Sequence, residues 1–454
     1  MIKINSKKLV EILGSTSQVV DVDIENVVTD SRIAKRGDLF VAIKGDKFDA
    51  HDFVKDVIAN GVELVVVEKM IPSVPATRQI VVANSVDAYG KIGAYNRSQF
   101  KGTVVGLTGS AGKTTTKEEI KYILSRFAPT YATKGNHNNH IGVPISLCEI
   151  EMNADYAVIE MGMSSKGEIS KLVSYTKPDI AVITNVYPMH IEFFDSFEGI
   201  AEAKAEIFEG LKEGGTAIIN EDTNFADILK KKADEHHAKI VSYGKKNILS
   251  KTDDNKIEAE IGGKKVSFEL SGQGEHHIYN ALCALTVADE LGLDVVKAAE
   301  SLIDFGALDG RGRQWQLKFA KGVYTLIDDS YSGQPESMKL GIETLNKMKV
   351  SGRKIAVLGK MAELGDYSKP KHIEIGQTLA KTDVDVVVGV CPEMKDMLAQ
   401  LPSGIEQHYF ENKEGLDEFL LNKLLQNNDT ILIKGARYSS KLYQVAESLI
   451  KSGS

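Results

Sequence analysis

Cysteine, tryptophan and long apolar runs are scarce in this chain. Its 454 residues include three cysteines, one tryptophan and ten prolines. Cys148, Cys283 and Cys391 lie far apart, each inside an apolar run, which indicates buried thiols rather than a disulfide framework or a metal-binding set. Buried free thiols are typical of a reducing compartment, so we expect a cytoplasmic protein.

No stretch has the composition of a membrane span or of a nucleic-acid-binding patch. The sequence has no apolar run of roughly 18 residues, and its first residues lack the apolar core of a signal peptide, so we expect neither a span nor export. The net charge of -8, without a basic block of about five residues, argues against nucleic acid as a partner. A hydrophobic fraction of 43% with 26% charged residues is typical of a soluble globular protein.

Short apolar runs alternate with helical patterns, which predicts parallel sheets flanked by helices and therefore an α/β fold. At roughly 150 residues per domain the length indicates about three domains. We place them at residues 1–100, 101–312 and 313–454. The predicted strands are Glu63–Val67, Tyr156–Glu160, Asp179–Thr184, Thr216–Ile219, Val323–Ile327, Lys354–Leu358, Val384–Val388 and Thr430–Ile433.

The most informative motif is an apolar run, Thr103–Thr108, that breaks into a glycine-rich turn ending in Lys113-Thr114. A helix with one buried face is predicted to begin at the turn, because the next apolar residues have helical spacing: Ile120, Ile123, Leu124 and Phe127. The amides and dipole of such a helix attract an anion. We interpret the turn as a nucleotide phosphate site in which Lys113 reaches the β- and γ-phosphates and Thr114 binds Mg²⁺. A merely glycine-rich turn is the alternative, but it rarely carries Lys-Thr at the first helical turn.

Polar residues suited to phosphoryl chemistry follow two other predicted strands. Glu160 ends one of them, and Asn185, His190 and Glu192 follow the next. Ligands in open α/β sheets lie outside the carboxyl ends of the strands, so together with the phosphate turn these residues indicate a metal site. Considered without the other residues, His190 would more often be an ordinary loop histidine than a metal ligand.

These motifs resemble the ATP-dependent Mur ligases of peptidoglycan synthesis, and the resemblance covers nearly the whole chain. It is carried by Asp30–Arg32, Gly37–Gly45, Thr108–Lys117, Lys134–Pro144, Glu160–Gly162, Asn185–His190, Ala201–Ile207, His276–Asn280, Asp328–Tyr331 and Leu358–Gly365. The Glu363-Leu364-Gly365 segment and the N-terminal pattern are most similar to the branch that adds D-alanyl-D-alanine. The Asp-Asn-Pro-Arg signature of the branch that adds the third amino acid is absent.

The resemblance implies three domains: a small N-terminal α/β UDP-binding domain, a central P-loop sheet that binds ATP, and a C-terminal Rossmann-like domain. It implies ATP and Mg²⁺ as cofactors, and UDP-N-acetylmuramoyl-tripeptide and D-alanyl-D-alanine as substrates. The implied reaction is ADP-forming amide synthesis through an acyl phosphate, which yields the cytoplasmic pentapeptide precursor of peptidoglycan.

The resemblance also implies roles for individual residues. The implied catalytic residues are Lys113, Glu160, His190 and Lys204, with Lys204 as a carbamylated lysine. The implied metal ligands are Thr114, Glu160 and His190. The implied ATP contacts are Thr108, Gly109, Ser110, Ala111, Gly112, Lys113, Thr114, Thr115, Asn280, Arg313 and Asp328. The implied substrate contacts are Ser31, Arg32, Lys44, Asp49, His51, Asn138, Lys434 and Arg437.

The chain departs from the family pattern at several positions, and it leaves alternatives open. The departures are Leu107, Ala50, His140, Ser164–Lys166, Ser332–Gln334 and Ala436. Without the resemblance, Lys204 in its Ala-Lys-Ala-Glu context is ordinarily a solvated helix lysine. The rival functions are another amino-acid ligase of the superfamily, such as a folylpolyglutamate synthetase, and a nucleotide-binding protein without ligase activity.

Overall fold

A computed structural model of the chain describes residues 2–45, 48–252, 256–270 and 274–453. It is an α/β protein with two compact units. The first unit comprises Met1–Val186, Ala201–Lys245 and Cys283–Asp294, and the second comprises Tyr187–Ile200, Lys246–Leu282 and Val295–Ser454. In these described ranges no helix has the length and apolar character to cross a membrane. The predicted domain boundaries at residues 100 and 312 stay a prediction.

The N-terminal part of the first unit is built on a parallel sheet in the order β3-β4-β5-β6. Both β4 and β5 are buried throughout, as parallel strands covered on both faces are. The elements are β1 Ile4–Asn5, α1 Ser6–Leu13, β2 Asp23–Ile24, β3 Asn26–Val28, β4 Asp38–Val41, α2 Val54–Ala59, β5 Leu64–Val67, β6 Gln79–Val81 and α3 Ser85–Gln99, with 3₁₀ turns at Ala50–Phe53 and Ala76–Arg78.

The central part of the first unit is a parallel sheet in the order β12-β11-β10-β7-β9-β8 among the described strands. Its strands are β7 Thr103–Thr108, β8 Thr130–Ala132, β9 Tyr156–Glu160, β10 Ile180–Ile183, β11 Thr216–Asn220 and β12 Lys239–Tyr243. Its helices are α4 Lys113–Leu124, α5 Gly142–Glu149, α6 Glu168–Thr176 and α8 Ala226–Glu235. Later strands are added on opposite sides of β7, so the crevice that binds ligands in such sheets lies at its carboxyl end.

Two helices contribute residues to both units: α7 Phe197–Ala205 and α9 Glu275–Glu290. Short 3₁₀ turns lie at Ile191–Phe193, Glu206–Gly210 and Lys245–Asn247.

The second unit contains an antiparallel sheet, β13-β14-β15, and a larger sheet in the order β16-β17-β21-β18-β19-β20. In the larger sheet β16 is antiparallel to β17 and the other pairs are parallel. The strands are β13 Ile248–Lys251, β14 Lys256–Ile261, β15 Lys264–Glu269, β16 Arg313–Phe319, β17 Gly322–Asp329, β18 Lys354–Gly359, β19 Val386–Val390, β20 Glu406–Phe410 and β21 Thr430–Lys434. The helices are α10 Val295–Ser301, α11 Pro335–Lys347, α12 Ser368–Leu379, α13 Met394–Leu398, α14 Leu416–Phe419, α15 Arg437–Ser440 and α16 Leu442–Gly453, with 3₁₀ turns at Leu302–Asp304 and Gly365–Tyr367 and a π turn at Leu420–Leu424.

Side chains of the larger sheet alternate between two apolar clusters, one on each face. On β18, Ile355 and Val357 belong to one cluster, whereas Ala356 and Leu358 belong to the other. This period of two is the geometry of a strand covered on both faces. The predicted run Lys354–Leu358 is therefore a buried strand, as expected.

The predicted strands are all present, and apart from β9 their ends differ from the prediction by one or two residues. The run predicted from Val384 forms its strand at Val386–Val390, because pairing with β18 begins where Val386 faces Ile355. The helix after the phosphate turn ends at Leu124, so Phe127 lies beyond it in a turn. Pro129 lies two residues after Phe127, and proline disfavours the helical conformation in the residue that precedes it. The helix therefore ends before the last apolar residue of the predicted pattern.

Candidate active site

The glycine-rich turn joins β7 to α4 in the predicted strand-turn-helix arrangement. Gly112 caps the helix with a φ of 77°, a left-handed conformation that favours glycine, and α4 begins at Lys113. The first amides of the helix therefore face the crevice at the carboxyl end of β7. The Lys113 ammonium donates to the carbonyl oxygens of Gly109 at 2.7 Å and Ser110 at 3.3 Å, so it lies over the turn.

Two residues that follow β10 hold the turn in place. The Ala111 amide donates to Asn185 Oδ1 at 2.7 Å, and the Ala111 carbonyl accepts from Asn185 Nδ2 and Thr184 Oγ1, each at 2.9 Å. The Ser110 amide donates to the Asn185 carbonyl at 2.9 Å. A Cβ at Gly109 would lie 1.9 Å from Thr184 Oγ1, so only glycine fits there. Asn185 was predicted from the sequence to lie near the site, but its contacts with Ala111 were not.

The Glu160 carboxylate lies at the end of β9 beside the turn and is only 1% exposed. Its Oε1 accepts from Asn138 Nδ2 at 2.8 Å and lies 3.4 Å from Thr114 Oγ1. Its Oε2 is buried and has no hydrogen-bond partner in the part of the chain that the structure describes. An unpartnered carboxylate oxygen next to a hydroxyl is a donor set that fits Mg²⁺.

Asn138 was predicted to be a substrate contact, and the structure places its amide on Glu160. Its carbonyl accepts from the Gly162 amide at 2.7 Å, which fixes the loop between β8 and α5 to the residues that follow β9. A Cβ at Gly162 would lie 3.1 Å from the Asn138 side chain, so the two segments pack closely. The described residues contain no cluster of three or more His, Cys, Asp or Glu side chains placed to hold a metal ion. A cation here therefore depends on mixed oxygen ligands such as the Thr114 hydroxyl.

The Lys204 side chain is buried, in contrast to the solvated lysine that its local sequence suggests. It is 2% exposed, and no hydrogen bond or ion pair of the described residues involves its ammonium. Burial, with a smaller contribution from the Lys113 ammonium, lowers the pKa of Lys204 well below its usual value. The shift favours the neutral amine, which is the form that carbamylation requires.

Three further predicted ATP contacts are buried side chains. Thr108 ends β7, and its Oγ1 has no hydrogen-bond partner among residues 2–45, 48–252, 256–270 and 274–453. Thr115 lies in the first turn of α4, and Asn280 lies on α9 with 6% exposure.

In the N-terminal part, Arg32 and His51 are already engaged by neighbouring groups. Arg32 forms a two-pronged pair with the Asp30 carboxylate, which lowers the pKa of Asp30 to about 2. His51 Nδ1 lies 2.6 Å from Asp49 Oδ1, and its Nε2 accepts from the Glu68 amide at 3.0 Å. Both ring nitrogens of His51 thus hold the chain together locally.

Ser31 and Lys44 complete the predicted substrate contacts of this part. Ser31 is half-buried next to Arg32, and the exposed Lys44 pairs through its backbone with Asp49. These residues lie on one loop system, and their contacts with a nucleotide sugar stay predictions.

In the second unit, Arg313 on β16 faces Asp328 on β17 across the strand pair, and their contacts with ATP stay a prediction. The Asp328 carboxylate accepts from the Gly310 amide at 3.0 Å and from the Ser330 hydroxyl at 2.6 Å. Burial raises the pKa of Asp328, although those hydrogen bonds oppose the shift. The Arg313 guanidinium donates to Asp309 at 2.6 Å.

Lys434 and Arg437, the predicted dipeptide contacts, differ in their surroundings. The Lys434 ammonium is fully buried and donates to Asp329 Oδ2 at 2.5 Å. The Arg437 guanidinium lies over the rings of Tyr443 at 4.2 Å and Tyr331 at 5.3 Å. Lys434 ends β21 and Arg437 follows it, at the carboxyl end of the sheet where ligands bind in such folds.

His190 belongs to the second unit, whereas Lys113, Glu160 and Lys204 belong to the first. It adopts a left-handed conformation with a φ of 56°, and its Nδ1 lies 2.8 Å from Glu363 Oε2. This contact lowers the pKa of Glu363. No local sequence pattern predicted that Glu363 lies beside His190.

Family models match all three parts of the chain. The model described as Mur ligase family, catalytic domain, matches residues 23–93. The Mur ligase middle domain matches residues 107–288, and the Mur ligase, glutamate ligase domain, matches residues 312–437.

Similar proteins and structures match over nearly the full length. The UDP-N-acetylmuramoyl-tripeptide–D-alanyl-D-alanine ligase of Escherichia coli (strain K12) is 34% identical, with 100% of each chain covered. The ligase of the same name from Bacillus subtilis (strain 168) is 32% identical, with 100% of this chain and 99% of the relative covered. A crystal structure of MurF from Acinetobacter baumannii is 31% identical with a TM-score of 0.89, covering 99% of both chains. A structure of MurF ligase from Thermotoga maritima in complex with ADP is 30% identical with a TM-score of 0.81, covering 94% of this chain and 97% of that one. The chain therefore belongs to the Mur ligase family.

Proposed function

We propose that this chain joins D-alanyl-D-alanine to the tripeptide carboxylate of UDP-N-acetylmuramoyl-tripeptide, with ATP converted to ADP and phosphate. The full-length similarity to ligases of that name supports the substrates. ATP and the nucleotide-linked precursor are cytoplasmic metabolites, so the proposal places the protein in the cytoplasm. This location is consistent with the free, buried state of Cys148, Cys283 and Cys391.

The observation that carries the proposal is the group of side chains around the phosphate turn. Lys113 supplies a positive charge over the turn, and the unpartnered oxygen of Glu160 lies beside the Thr114 hydroxyl. Lys204 supplies a buried amine whose pKa is lowered by burial. Together these groups suit phosphoryl transfer from a bound nucleoside triphosphate.

Thr114 and Glu160 fit Mg²⁺, and we propose His190 as a further ligand. When bound, Mg²⁺ neutralises charge on the transferring phosphoryl group. A carbamate on Lys204 would add a carboxylate to a site that otherwise has few acidic groups. The Asn138 amide orients Glu160 by donating to its Oε1.

The reaction proceeds in two steps. An oxygen of the tripeptide carboxylate attacks the γ-phosphorus of ATP, the bond to the β-phosphate oxygen breaks, and ADP leaves as an acyl phosphate forms. The neutral amine of the dipeptide then attacks the acyl carbon, and inorganic phosphate leaves while the amine loses a proton to solvent. Lys113 stabilises the charge that develops on the phosphoryl oxygens in the first step.

Release of ADP by the purified protein, with Mg²⁺ and ATP, tests this function. UDP-N-acetylmuramoyl-tripeptide and D-alanyl-D-alanine are added separately and together, and the product is identified by mass. ADP release that needs both substrates, with a pentapeptide product, is the expected result. Release with a different amino-acid donor identifies another ligase of the superfamily, and nucleotide binding without release identifies a non-catalytic protein.

Lys113→Ala tests the assignment of the phosphate turn. We expect a loss of ADP release of about 10²-fold or more, because one positive group that stabilises transition-state charge is removed. Lys121→Ala is the matched control, since Lys121 lies on the same helix and its side chain is 45% exposed. Normal turnover by Lys113→Ala would contradict the site.

A further inference from the structure

Lys117 is a lysine of α4 whose side chain is hidden from solvent. It lies one turn after Lys113, and its side chain is fully buried, whereas the side chain of Lys121, one turn further on, is 45% exposed. Removing an ammonium group from water costs free energy unless other acceptors replace the water. A buried lysine at this position therefore needs partners inside the protein.

The structure gives the Lys117 ammonium three acceptors. The ammonium donates to the Thr133 carbonyl at 2.5 Å and to the Gly135 carbonyl at 3.4 Å, and it pairs with Glu118 Oε1 at 2.9 Å. An ammonium group has three N–H donors, so the acceptors match the donors in number. Lys117 thus has no donor left for a nucleotide phosphate, and its role differs from that predicted for Lys113.

The two carbonyls lie at the start of the segment that joins β8 to α5. Residues 133–141 of this segment contain neither helix nor strand, and Gly135 has a left-handed φ of 55°. Such a segment has no regular backbone ladder to fix its course, so its polar groups depend on individual contacts. The Lys117 ammonium fixes the segment to α4 at two carbonyls.

The same segment contacts Glu160 through both its backbone and its carboxylate. Thr133 Oγ1 accepts from the Glu160 amide at 3.1 Å, and Asn138 Nδ2 donates to Glu160 Oε1 at 2.8 Å. Thr133 is 1% exposed, and its carbonyl and hydroxyl join Lys117 to the Glu160 backbone. A continuous set of contacts within the first unit thus leads from α4 to the carboxylate of Glu160.

We propose that Lys117 is a positioning residue whose ammonium holds residues 133–138 against α4, so that Asn138 orients the Glu160 carboxylate for Mg²⁺. This inference rests on the proposed function, because it assumes that Glu160 binds that cation. Groups that hydrogen-bond to a metal ligand set its orientation and its affinity for the metal. Without the ammonium, the carbonyls of Thr133 and Gly135 lose their charged donor, and Asn138 is no longer held at Glu160.

Hydrogen–deuterium exchange of the metal-free protein gives the first test. Lys117→Met removes the ammonium and keeps a long side chain that suits a buried site. We expect peptides that cover residues 133–141 to exchange about 10-fold faster or more in this variant, while peptides of β10 and β11 exchange as in the parent. Unchanged exchange at residues 133–141 would overturn the proposal, and so would faster exchange throughout the first unit, since that indicates a general structural role.

Lys121→Met is the matched control for this experiment. Lys121 lies on the same helix, and its ammonium approaches the same Glu118 at 4.0 Å. The control therefore removes a lysine beside Glu118 without removing a donor to residues 133–141. We expect its exchange pattern to be that of the parent.

Mn²⁺ binding in the presence of ADP, followed by electron paramagnetic resonance, gives the second test. We expect Lys117→Met to weaken Mn²⁺ binding roughly 10-fold or more, as the loss of a group that supports a metal ligand does. The affinity for ADP without metal should stay that of the parent, because Lys117 has no donor left for a phosphate. Asn138→Ala should weaken Mn²⁺ binding at least as much, and adding Lys117→Met to it should change little, since both act on Glu160 by one route.

The outcomes separate this inference from the proposed function. If Asn138→Ala weakens Mn²⁺ binding and Lys117→Met does not, Lys117 has no positioning role and the ligase proposal is unaffected. If Glu160→Ala leaves Mn²⁺ binding unchanged, the metal role of Glu160 fails, and this inference fails with it. If Lys117→Met proves unfolded by circular dichroism, Lys117→Gln gives the same comparison with a side chain that keeps a donor for one carbonyl.

Discussion

Lys204 shows at the scale of one residue how far burial can change chemistry. Its sequence context is that of an exposed helix lysine, yet the side chain is 2% exposed. Water is the main stabiliser of an ammonium group, so its removal favours the neutral amine. The Lys113 ammonium acts in the same direction. A neutral amine can react with carbon dioxide, and an exposed lysine at neutral pH does so far less.

We predict that Lys204 is carbamylated in the purified protein. ¹³C spectra in ¹³C-bicarbonate should show a carbamate signal that is absent in Lys204→Ala and retained in Lys231→Ala, an exposed lysine of the same unit. Lys204→Ala should lose most ADP release and recover part of it with added acetate. An unchanged spectrum together with normal activity in Lys204→Ala would leave the lysine as a buried structural residue.

At the scale of elements, the phosphate turn depends on the end of a neighbouring strand. The Asn185 side chain holds Ala111 in place by hydrogen bonds to both its amide and its carbonyl. The Thr184 side chain occupies the space beside Gly109. A loop that binds phosphates must present its amides before the ligand arrives, because ordering the loop on binding weakens affinity. These contacts therefore contribute to nucleotide binding without touching the nucleotide.

We predict that Asn185→Ala weakens ADP binding by about 1–3 kcal/mol, since the half-buried Ala111 amide loses its partner and the Ala111 carbonyl keeps only Thr184 Oγ1. Isothermal titration calorimetry with ADP measures the change in affinity. The ADP affinity of Asn185→Asp should lie between those of the parent and Asn185→Ala, because aspartate keeps the acceptor oxygen and loses the donor. Asn224→Ala is the matched control, as its Nδ2 donates to the Val186 carbonyl at 3.1 Å in the same unit. Equal ADP affinity in Asn185→Ala and the parent would argue that the turn holds its shape unaided.

At the scale of the whole molecule, one buried carboxyl group makes stability depend on pH. Glu119 on α4 is 1% exposed, and its Oε2 has no hydrogen-bond partner among the residues whose structure is described. Burial raises the pKa of Glu119 well above its ordinary value. The folded state thus keeps the proton while the unfolded chain releases it. The stabilising contribution is complete below the unfolded pKa and declines as pH rises towards the folded pKa.

We predict that Glu119→Gln, which cannot ionise, gains stability relative to the parent as pH rises. Between the two pKa values the difference in unfolding free energy grows by about 1.4 kcal/mol for each pH unit. Urea unfolding of both proteins at pH 5, 6, 7 and 8 measures this slope. Glu151→Gln, at an exposed position in the same unit, should show no such trend. Parallel stability curves for Glu119→Gln and the parent would contradict the prediction.

The sequence by itself determined the features that depend on neighbouring residues. Apolar runs of strand length predicted β9, β10 and β18 because such runs must be buried on both faces of a parallel sheet. The glycine-rich turn with Lys113 predicted the strand-turn-helix because those residue types satisfy the local backbone geometry. Family motifs along nearly the whole length predicted the ligase reaction.

Only the tertiary structure decided the features that join distant parts of the chain. Asn138 contacts Glu160 over 22 positions, and Asn185 holds Ala111 over 74. The contact between His190 and Glu363 and the burial of Lys204 depend in the same way on packing. A local pattern specifies how a segment folds, but the solvent and partners of a side chain are set by whichever segments pack around it. The ionisation and orientation of the site residues therefore became visible only with the fold.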